Sequence, residues 1–457
     1  MKFRAYGNRE IEKISFFQNL SRQSLTEIKA VSAVLPFRIN NYVIEELIDS
    51  SQIPMDPMYQ MTIPQPGMLD PEDLDRMCAL IHRNAPQHEI SAEARNIQMR
   101  LNPHPSGQME LNVPVEDGIL INGMQHKYRE TLLFFPSQGQ TCHAYCTYCF
   151  RWAQFIDLEE LKFATRETDA LIHYLKRHPE VTDILFTGGD PLVMKTRLLR
   201  RYIEPLLKAG LEQLRSIRIG TKSMAYWPYR FLTDPDADDL MRLFEEVTAH
   251  GIHLALMAHY SHPRELRPAA AQAALKRIIG TGAVVRCQAP LIRHVNDDAQ
   301  IWADLWNLQV RMGAVPYYMF VERDTGPKEY FQVPLHRCLD IFTEAYAQVS
   351  GLGRTVRGPT MSATPGKVII EGVCTIMGRR YFVLKLIQGR DHEWVNQIFL
   401  AEHSTEASWL DELAPAFGQP EFFFEPRLRE MKQEKLADQG KHVRGPFPKW
   451  ALADLAE

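Results

Sequence analysis

The chain has 457 residues, 45% apolar and 24% charged, so a sizeable core is expected and general disorder is excluded. Its 52 basic and 56 acidic side chains leave a net charge of −4, which disfavours a nucleic-acid partner. Seven cysteines, an odd number in so long a chain, do not make a secreted disulfide framework. Three of them fall within eight residues. The opening MKFRAYGNREIEKISFF lacks the apolar run of a signal peptide, and no stretch approaches the roughly 20 apolar residues of a membrane span. A soluble, cytoplasmic protein with no membrane contact is expected.

Residues 24–33 carry apolar positions at helical spacing behind a serine cap. Five prolines between positions 54 and 71 predict a loop-rich connection. Asp70 and Pro71 then open a helix running to about residue 85. The polar, Pro- and Gly-containing stretch 102–121 marks the end of an N-terminal, mostly helical region, residues 1–120. From residue 131 short apolar runs recur, at 131–135, 183–186, 216–219, 252–257, 283–285 and 315–321. Amphipathic stretches such as 166–177 and 236–248 lie between them. Strand then helix, six times over, predicts an α/β fold, a partial (β/α)6 TIM-like barrel over residues 121–372. A small C-terminal extension, 373–457, holds one strand-like run at 381–387 and a charged stretch, 427–444, read as a solvated helix face or frayed end.

In such a barrel functional groups gather at the C-terminal strand ends. The segments following the six runs carry Cys142, Cys146 and Cys149; Gly188-Gly189-Asp190; Lys222; His259 and His262; Gln288 and Arg293; and Glu322-Arg323-Asp324. The spacing C-x3-C-x2-C puts three thiolates on a tight loop, which suits a [4Fe–4S] cluster with one iron left open. The alternatives are zinc with His143 as fourth ligand, or buried cysteines that bind nothing. Gly188 and Gly189 let backbone approach a ligand, and Asp190 can accept from an ammonium; the same triplet is also an ordinary turn.

Behind a first strand, this cysteine run resembles that of the radical SAM superfamily. Residues from about 35 to 367 resemble the lysine 2,3-aminomutase family more closely. The marks are His126-Lys127-Tyr128, Arg151, Gly188-Gly189-Asp190, Arg218-Ile219-Gly220, the segment 259–263, Gln288, Val295-Asn296-Asp297, Pro316-Tyr317-Tyr318 and Pro365-Gly366-Lys367. The resemblance implies that S-adenosylmethionine (SAM) chelates the open iron and that its 5′-deoxyadenosyl radical takes hydrogen from Cβ of an amino acid. That amino acid is held on pyridoxal 5′-phosphate (PLP), which lets nitrogen shift from Cα to Cβ.

The resemblance also implies roles for individual residues. Arg151 would bind the substrate carboxylate through its planar fork, against the reading of a surface ion pair. Lys367 would carry PLP, against an exposed loop lysine; the family's glycine run before it is shortened to Pro365-Gly366. Lys127 and Tyr128 stand at PLP-contact positions, with lysine replacing arginine. Thr131 replaces a second arginine, and Arg129 is the expected compensation. Lys222 replaces an arginine on the SAM side, where His259 and Gln288 are either SAM contacts or satisfied core polar groups. Lysine-specific members hold the distal ammonium with two carboxylates. Here Arg323 stands at the first position, and Ser362-Ala363-Thr364 offers no acid at the second. An arginine would repel that ammonium. The expected substrate is therefore not free lysine. It is an acidic amino acid paired with Arg323, or a neutral one if Glu322 and Asp324 neutralise it. Asp298 replaces a zinc-binding cysteine, so no structural zinc is expected, and Cys78, Cys287, Cys338 and Cys374 read as buried spectators.

The function expected is a PLP-dependent radical SAM amino acid 2,3-aminomutase, an isomerase served by a flavodoxin- or ferredoxin-like electron donor and forming a homo-oligomer. Two alternatives stay open: radical modification of a protein or RNA, and a non-catalytic zinc-bearing module.

Overall fold

The computed structural model describes residues 1–116, 118–156 and 163–439; the end of the charged stretch 427–444 lies outside them. The molecule is a mixed α/β protein organised around one eleven-stranded sheet. Its strands are β1 (Met124–Tyr128), β2 (Thr131–Phe134), β3 (Asp183–Phe186), β4 (Ser216–Thr221), β5 (His253–His259), β6 (Val284–Leu291), β7 (Val315–Val321), β8 (Arg357–Ser362), β9 (Gly366–Ile376), β10 (Arg379–Gly389) and β11 (Ile398–Glu402). They lie side by side in chain order. β2 to β8 are parallel, and six helices make the crossovers: Thr168–Arg177, Thr196–Lys208, Ala237–Ala249, Ala269–Ile279, Ala299–Arg311 and Leu335–Ala347. β1 closes one end as a hairpin with β2, and β9 to β11 continue the other end antiparallel.

All six apolar runs are strands of this sheet. A seventh parallel strand, β8, was not expected, because Gly358 and Pro359 are strand-breaking residues. It is accommodated where the β7–β8 register shifts between Tyr318 and Phe320. The early helix runs Arg22–Val34 and is capped by Ser21, whose side chain accepts from Ser24 N, so the cap lies one turn before the expected start. The helix opened by Pro71 ends at His82.

Period-two alternation sets the two faces of the sheet. Ile217 and Ile219 of β4, and Val285, Cys287, Ala289 and Leu291 of β6, are buried. Arg218, Arg286 and Gln288, on the opposite face, are half-buried. That face is enclosed by curvature. A flat sheet would separate β1 from β9 by eight strand spacings, about 38 Å. Instead the Lys367 ammonium of β9 lies 5.6 Å from the Tyr128 ring centroid of β1. The sheet curls until its two ends share one interior.

The N-terminal region braces the segment after β2 that carries the cysteines. Tyr145 N donates to Arg38 O (2.8 Å), and Thr147 N to Met61 O (2.9 Å). The fully buried Asn40 amide donates to His143 O (3.1 Å) and Tyr226 O (2.9 Å), while its oxygen accepts from Val43 N (3.0 Å). Asn40→Ala strands those three backbone groups. Urea unfolding of this variant should show a loss of roughly 1–3 kcal/mol; an unchanged midpoint would remove Asn40 from the brace.

Candidate functional site

The cysteine segment has little regular structure of its own. Its internal ties are turns such as Cys149 N to Cys146 O (3.1 Å), and between Cys142 and Cys149 its other backbone bonds run to the N-terminal brace. All three thiols are half-buried. Burial first, then neighbouring Asp190 and the other two cysteines, pushes Cys142 well up; burial and Cys146 push Cys149 to about 12. Cys146 Sγ lies 3.5 Å from the Tyr226 hydroxyl. His143, the fourth ligand of the zinc alternative, spends Nδ1 on Ser223 Oγ (2.9 Å) and packs edge-on against Phe3. Among the described residues no three His, Cys, Asp or Glu side chains converge as ligands of a single ion. A sulfur-only set spread along one loop fits a cluster, in which each thiolate takes its own iron.

Gly188 and Gly189 pack against this loop. Gly188 has φ of +127°, and a Cβ there would strike the Gln140 side chain. A Cβ on Gly189 would lie 2.5 Å from both N and O of Thr141, the residue before Cys142. Asp190 N donates to Thr141 O (2.8 Å). The Asp190 carboxylate, 2% exposed, accepts from Leu192 N, Thr221 Oγ1, Lys222 N, Ser223 N and Ser223 Oγ at 2.8–3.0 Å. It is saturated by the protein, so it ties the turn to the end of β4, and a ligand ammonium would have to displace one of these donors.

Lys222, His259 and Gln288 come together beside the cysteines. Lys222 Nζ pairs with Glu265 (2.6 Å), donates to His259 O (3.3 Å) and lies over the Tyr226 ring. Glu265 is fully buried and also receives Ser261 N and His262 N, closing the turn after β5. The Gln288 amide donates to His259 Nε2 (2.8 Å). Burial, with Lys222 and Arg151 nearby, lowers His259 to about 3, so its ring is neutral.

Arg151 and Arg323 meet at Phe150. Their guanidinium carbons lie 4.9 and 4.8 Å from its ring centroid, and Arg151 also stacks on Phe135 at 4.6 Å. Arg323 Nη2 donates to Ser106 Oγ and Ser362 O, both at 3.1 Å; its Nε is buried without a partner.

A second cationic group lies near Arg323, by way of Lys127. Lys367 Nζ sits over the Tyr318 ring (4.8 Å) and the Tyr128 ring (5.6 Å). Burial, then Arg218 and Arg357, lower its amine to about 7. Lys127, held by Ala363 O, is lowered well below the usual range by burial and by Arg390, Arg323 and Lys367. Arg390 donates to Asn112 Oδ1 (2.8 Å), Leu111 O (3.3 Å) and Thr364 O (3.4 Å). The Tyr128 hydroxyl, buried beside Ser362, makes no well-formed hydrogen bond. A desolvated amine between two aromatic rings, an idle hydroxyl and unpaired cations fit a flat aromatic aldehyde carrying a phosphate, which is PLP.

Arg129 takes no part here. It is exposed at the β1–β2 turn, and Thr131, where the family has an arginine, bonds Asp183 (3.0 Å). Arg390 stands by Lys127 instead. No motif announced Arg390, which lies beyond the segment where the resemblance is clear; a lone arginine at the end of the 381–387 run is its only mark. Glu265 was signalled by the His262-Pro-Arg-Glu265 capping pattern. Cys287 and Cys338 are buried, whereas Cys78 and Cys374 are partly exposed.

Gly189→Ala pushes a methyl group into Thr141 backbone, where nothing flexible can yield. The expected cost is about 1–3 kcal/mol or more. Iron retained per chain after anaerobic reconstitution should fall with it, and thermal melts with iron analysis read both.

No family model matches the chain. A putative L-lysine 2,3-aminomutase of Aquifex aeolicus is 32% identical over 293 residues, 64% of this chain and 74% of that protein. The L-lysine 2,3-aminomutase of Escherichia coli is 28% identical over 236 residues, covering 52% of this chain and 65% of that one. That of Haemophilus influenzae is 27% identical over 226 residues, with 50% and 62% covered, so this chain spans somewhat under two thirds of these two relatives. Among solved structures, a radical SAM methyltransferase from Sphaerobacter thermophilus overlaps 59% of this chain and 89% of its own at 14% identity and a TM-score of 0.35, too distant a likeness to argue from. The first of these relatives is close enough, over enough of its length, to decide the matter: the chain belongs to the lysine 2,3-aminomutase family, as a divergent member.

Proposed function

We propose that the protein is a radical SAM, PLP-dependent amino acid 2,3-aminomutase whose substrate is an acidic or neutral amino acid rather than free lysine. The observation that supports this reading is a run of neighbouring groups from the cysteines to a desolvated lysine: Cys149 by Arg151, Arg151 and Arg323 on the Phe150 ring, and Lys127 near both Arg323 and Lys367. The curled sheet is, on this reading, a partial barrel, and the division into residues 1–120, 121–372 and 373–457 is our proposal for its organisation. So are a cytoplasmic location, a flavodoxin- or ferredoxin-like donor and a homo-oligomeric state. No helix among the described residues is long and apolar enough to cross a membrane.

Cys142, Cys146 and Cys149 would hold a [4Fe–4S] cluster with one iron open to SAM. Gly188, Gly189 and Asp190 would hold the cysteine loop in shape, and Lys222, His259 and Gln288 would line the SAM side. Lys367 would carry PLP, with Tyr128 against it and Lys127 and Arg390 toward its phosphate. When bound, these groups supply a hydrogen-abstracting radical and a conjugated system through which an amino nitrogen can pass between adjacent carbons. The chain supplies orientation: Arg151 takes the substrate carboxylate, and the aromatic rings of Phe135 and Phe150 fix its guanidinium. It also supplies dryness, since enclosure keeps water from the radical.

Reconstitution with iron, sulfide and PLP without oxygen, followed by a chemical reductant and SAM, should yield 5′-deoxyadenosine and, with the right amino acid, its β-isomer. Retention on heparin or tRNA with no turnover of any free amino acid would favour macromolecule modification, and zinc without iron would favour the binding module.

Lys367 must be neutral to attack an aldehyde, and its pKa of about 7 lies far below that of a free lysine. Capture of PLP by the protein, trapped with borohydride and read by mass, should therefore rise as pH increases through about 7 and level off above it. Lys367→Ala should leave no trapped pyridoxyl group. Trapping that still climbs toward pH 10 would place the reactive amine elsewhere.

A further inference from the structure

We propose that the substrate is an amino diacid, bound with its α-carboxylate on Arg151 and its second acidic group on Arg323, across the ring of Phe150. This rests on the aminomutase reading and narrows its substrate.

Among the described residues the protein sets no carboxylate in contact with either guanidinium. Neither guanidinium has an ion pair with any described carboxylate, although Glu322 and Asp324 flank Arg323 in the chain. Asp324 instead lies by Asn102, whose amide donates to its backbone O (2.6 Å) and Oδ2 (3.5 Å). Asp324 and Glu322 act on Arg323 from a distance, against the lowering by burial, but neither reaches it as an ion pair among the described residues. The Arg151 guanidinium has no hydrogen-bond partner among the described residues, and Arg323 keeps a buried Nε without one. A buried donor such as the Arg323 Nε is costly unless a ligand meets it.

The two cations are also placed as a pair. Both stack on one ring, which bounds their separation at under about 10 Å. A four- or five-carbon diacid sets its carboxyl carbons roughly 4–5 Å apart, given bonds near 1.5 Å. Each carboxylate then has room to meet its own guanidinium fork. An amino acid with an amide or alkyl side chain satisfies Arg151 and leaves Arg323 charged and unmet. Lysine adds a third cation. A site built to pair a charged group discriminates strongly against an analogue that lacks it.

The test uses reconstituted holoenzyme without oxygen and matched pairs: aspartate with asparagine, glutamate with glutamine, and lysine alone. β-Amino product and 5′-deoxyadenosine are both quantified. One diacid should exceed its amide by about 100-fold or more in kcat/KM. Arg323→Gln should invert that preference through KM, and Arg323→Lys should restore part of it. Without SAM, so without turnover, the same diacid should raise the melting temperature of the wild type and its amide should not. A β-amino product formed best from an amide, an alkyl amino acid or lysine overturns the diacid assignment while leaving the aminomutase standing. So does an unchanged acid-to-amide ratio in a folded, iron-replete Arg323→Gln. SAM cleavage with no β-amino product from any amino acid overturns both.

Discussion

Everything in the candidate site depends on how far the sheet curls. β1 and β9 are far apart in sequence and eight strands apart in the ladder, yet Tyr128 of one lies against Lys367 of the other. Strand twist supplies the bend. Hydrogen bonds then lock it: Lys127 of β1 reaches Ala363 O between β8 and β9, and Arg390 beyond β10 reaches Leu111 and Asn112 before β1. These links tie the first part of the sheet to the last. Loosen them and the lysine loses its aromatic neighbours and its desolvation together, and with these the lowered pKa on which the role proposed for its amine depends.

What the sequence made legible was local. Cysteine spacing, a Gly-Gly-Asp triplet and six apolar runs are patterns within a few residues, and each has a physical cause that acts at that range. What it hid was set by distance. Asp190 reads as a free carboxylate because its donors Thr221 and Ser223 lie more than thirty positions ahead. Arg129 reads as a substitute for the arginine missing at Thr131 because it is near in sequence, while Arg390 is near only in space. β8 was hidden for a different reason: Gly358 and Pro359 oppose strand formation, and flanking strands with a register shift override them.

The interior treats its charges in two ways. Some are balanced: beside the cysteines Lys222 stands against Glu265, and next to Lys367 Arg218 stands against Asp183, which is also met by Ser216 and Thr131. Others are not: among the described residues Arg151, Arg323, Lys127 and Lys367 have no ion pair, and several depress one another's pKa. Balanced pairs fix geometry, whereas unbalanced cations are places where a ligand completes the electrostatics. The N-terminal brace shapes the cysteine loop through backbone bonds and the Asn40 amide, and brings the Arg38 guanidinium to Thr141.

That imbalance has a consequence for the life of the chain before it works. Like charges confined in a shielded interior weaken the folded state, and whatever anion settles among them returns that stability in proportion to its occupancy. The empty protein is therefore the fragile form. On the function proposed above, a freshly made chain that meets its anionic ligands late would stay longest within reach of chaperones and proteases, so the supply of those ligands would set how much protein accumulates as well as how much is active.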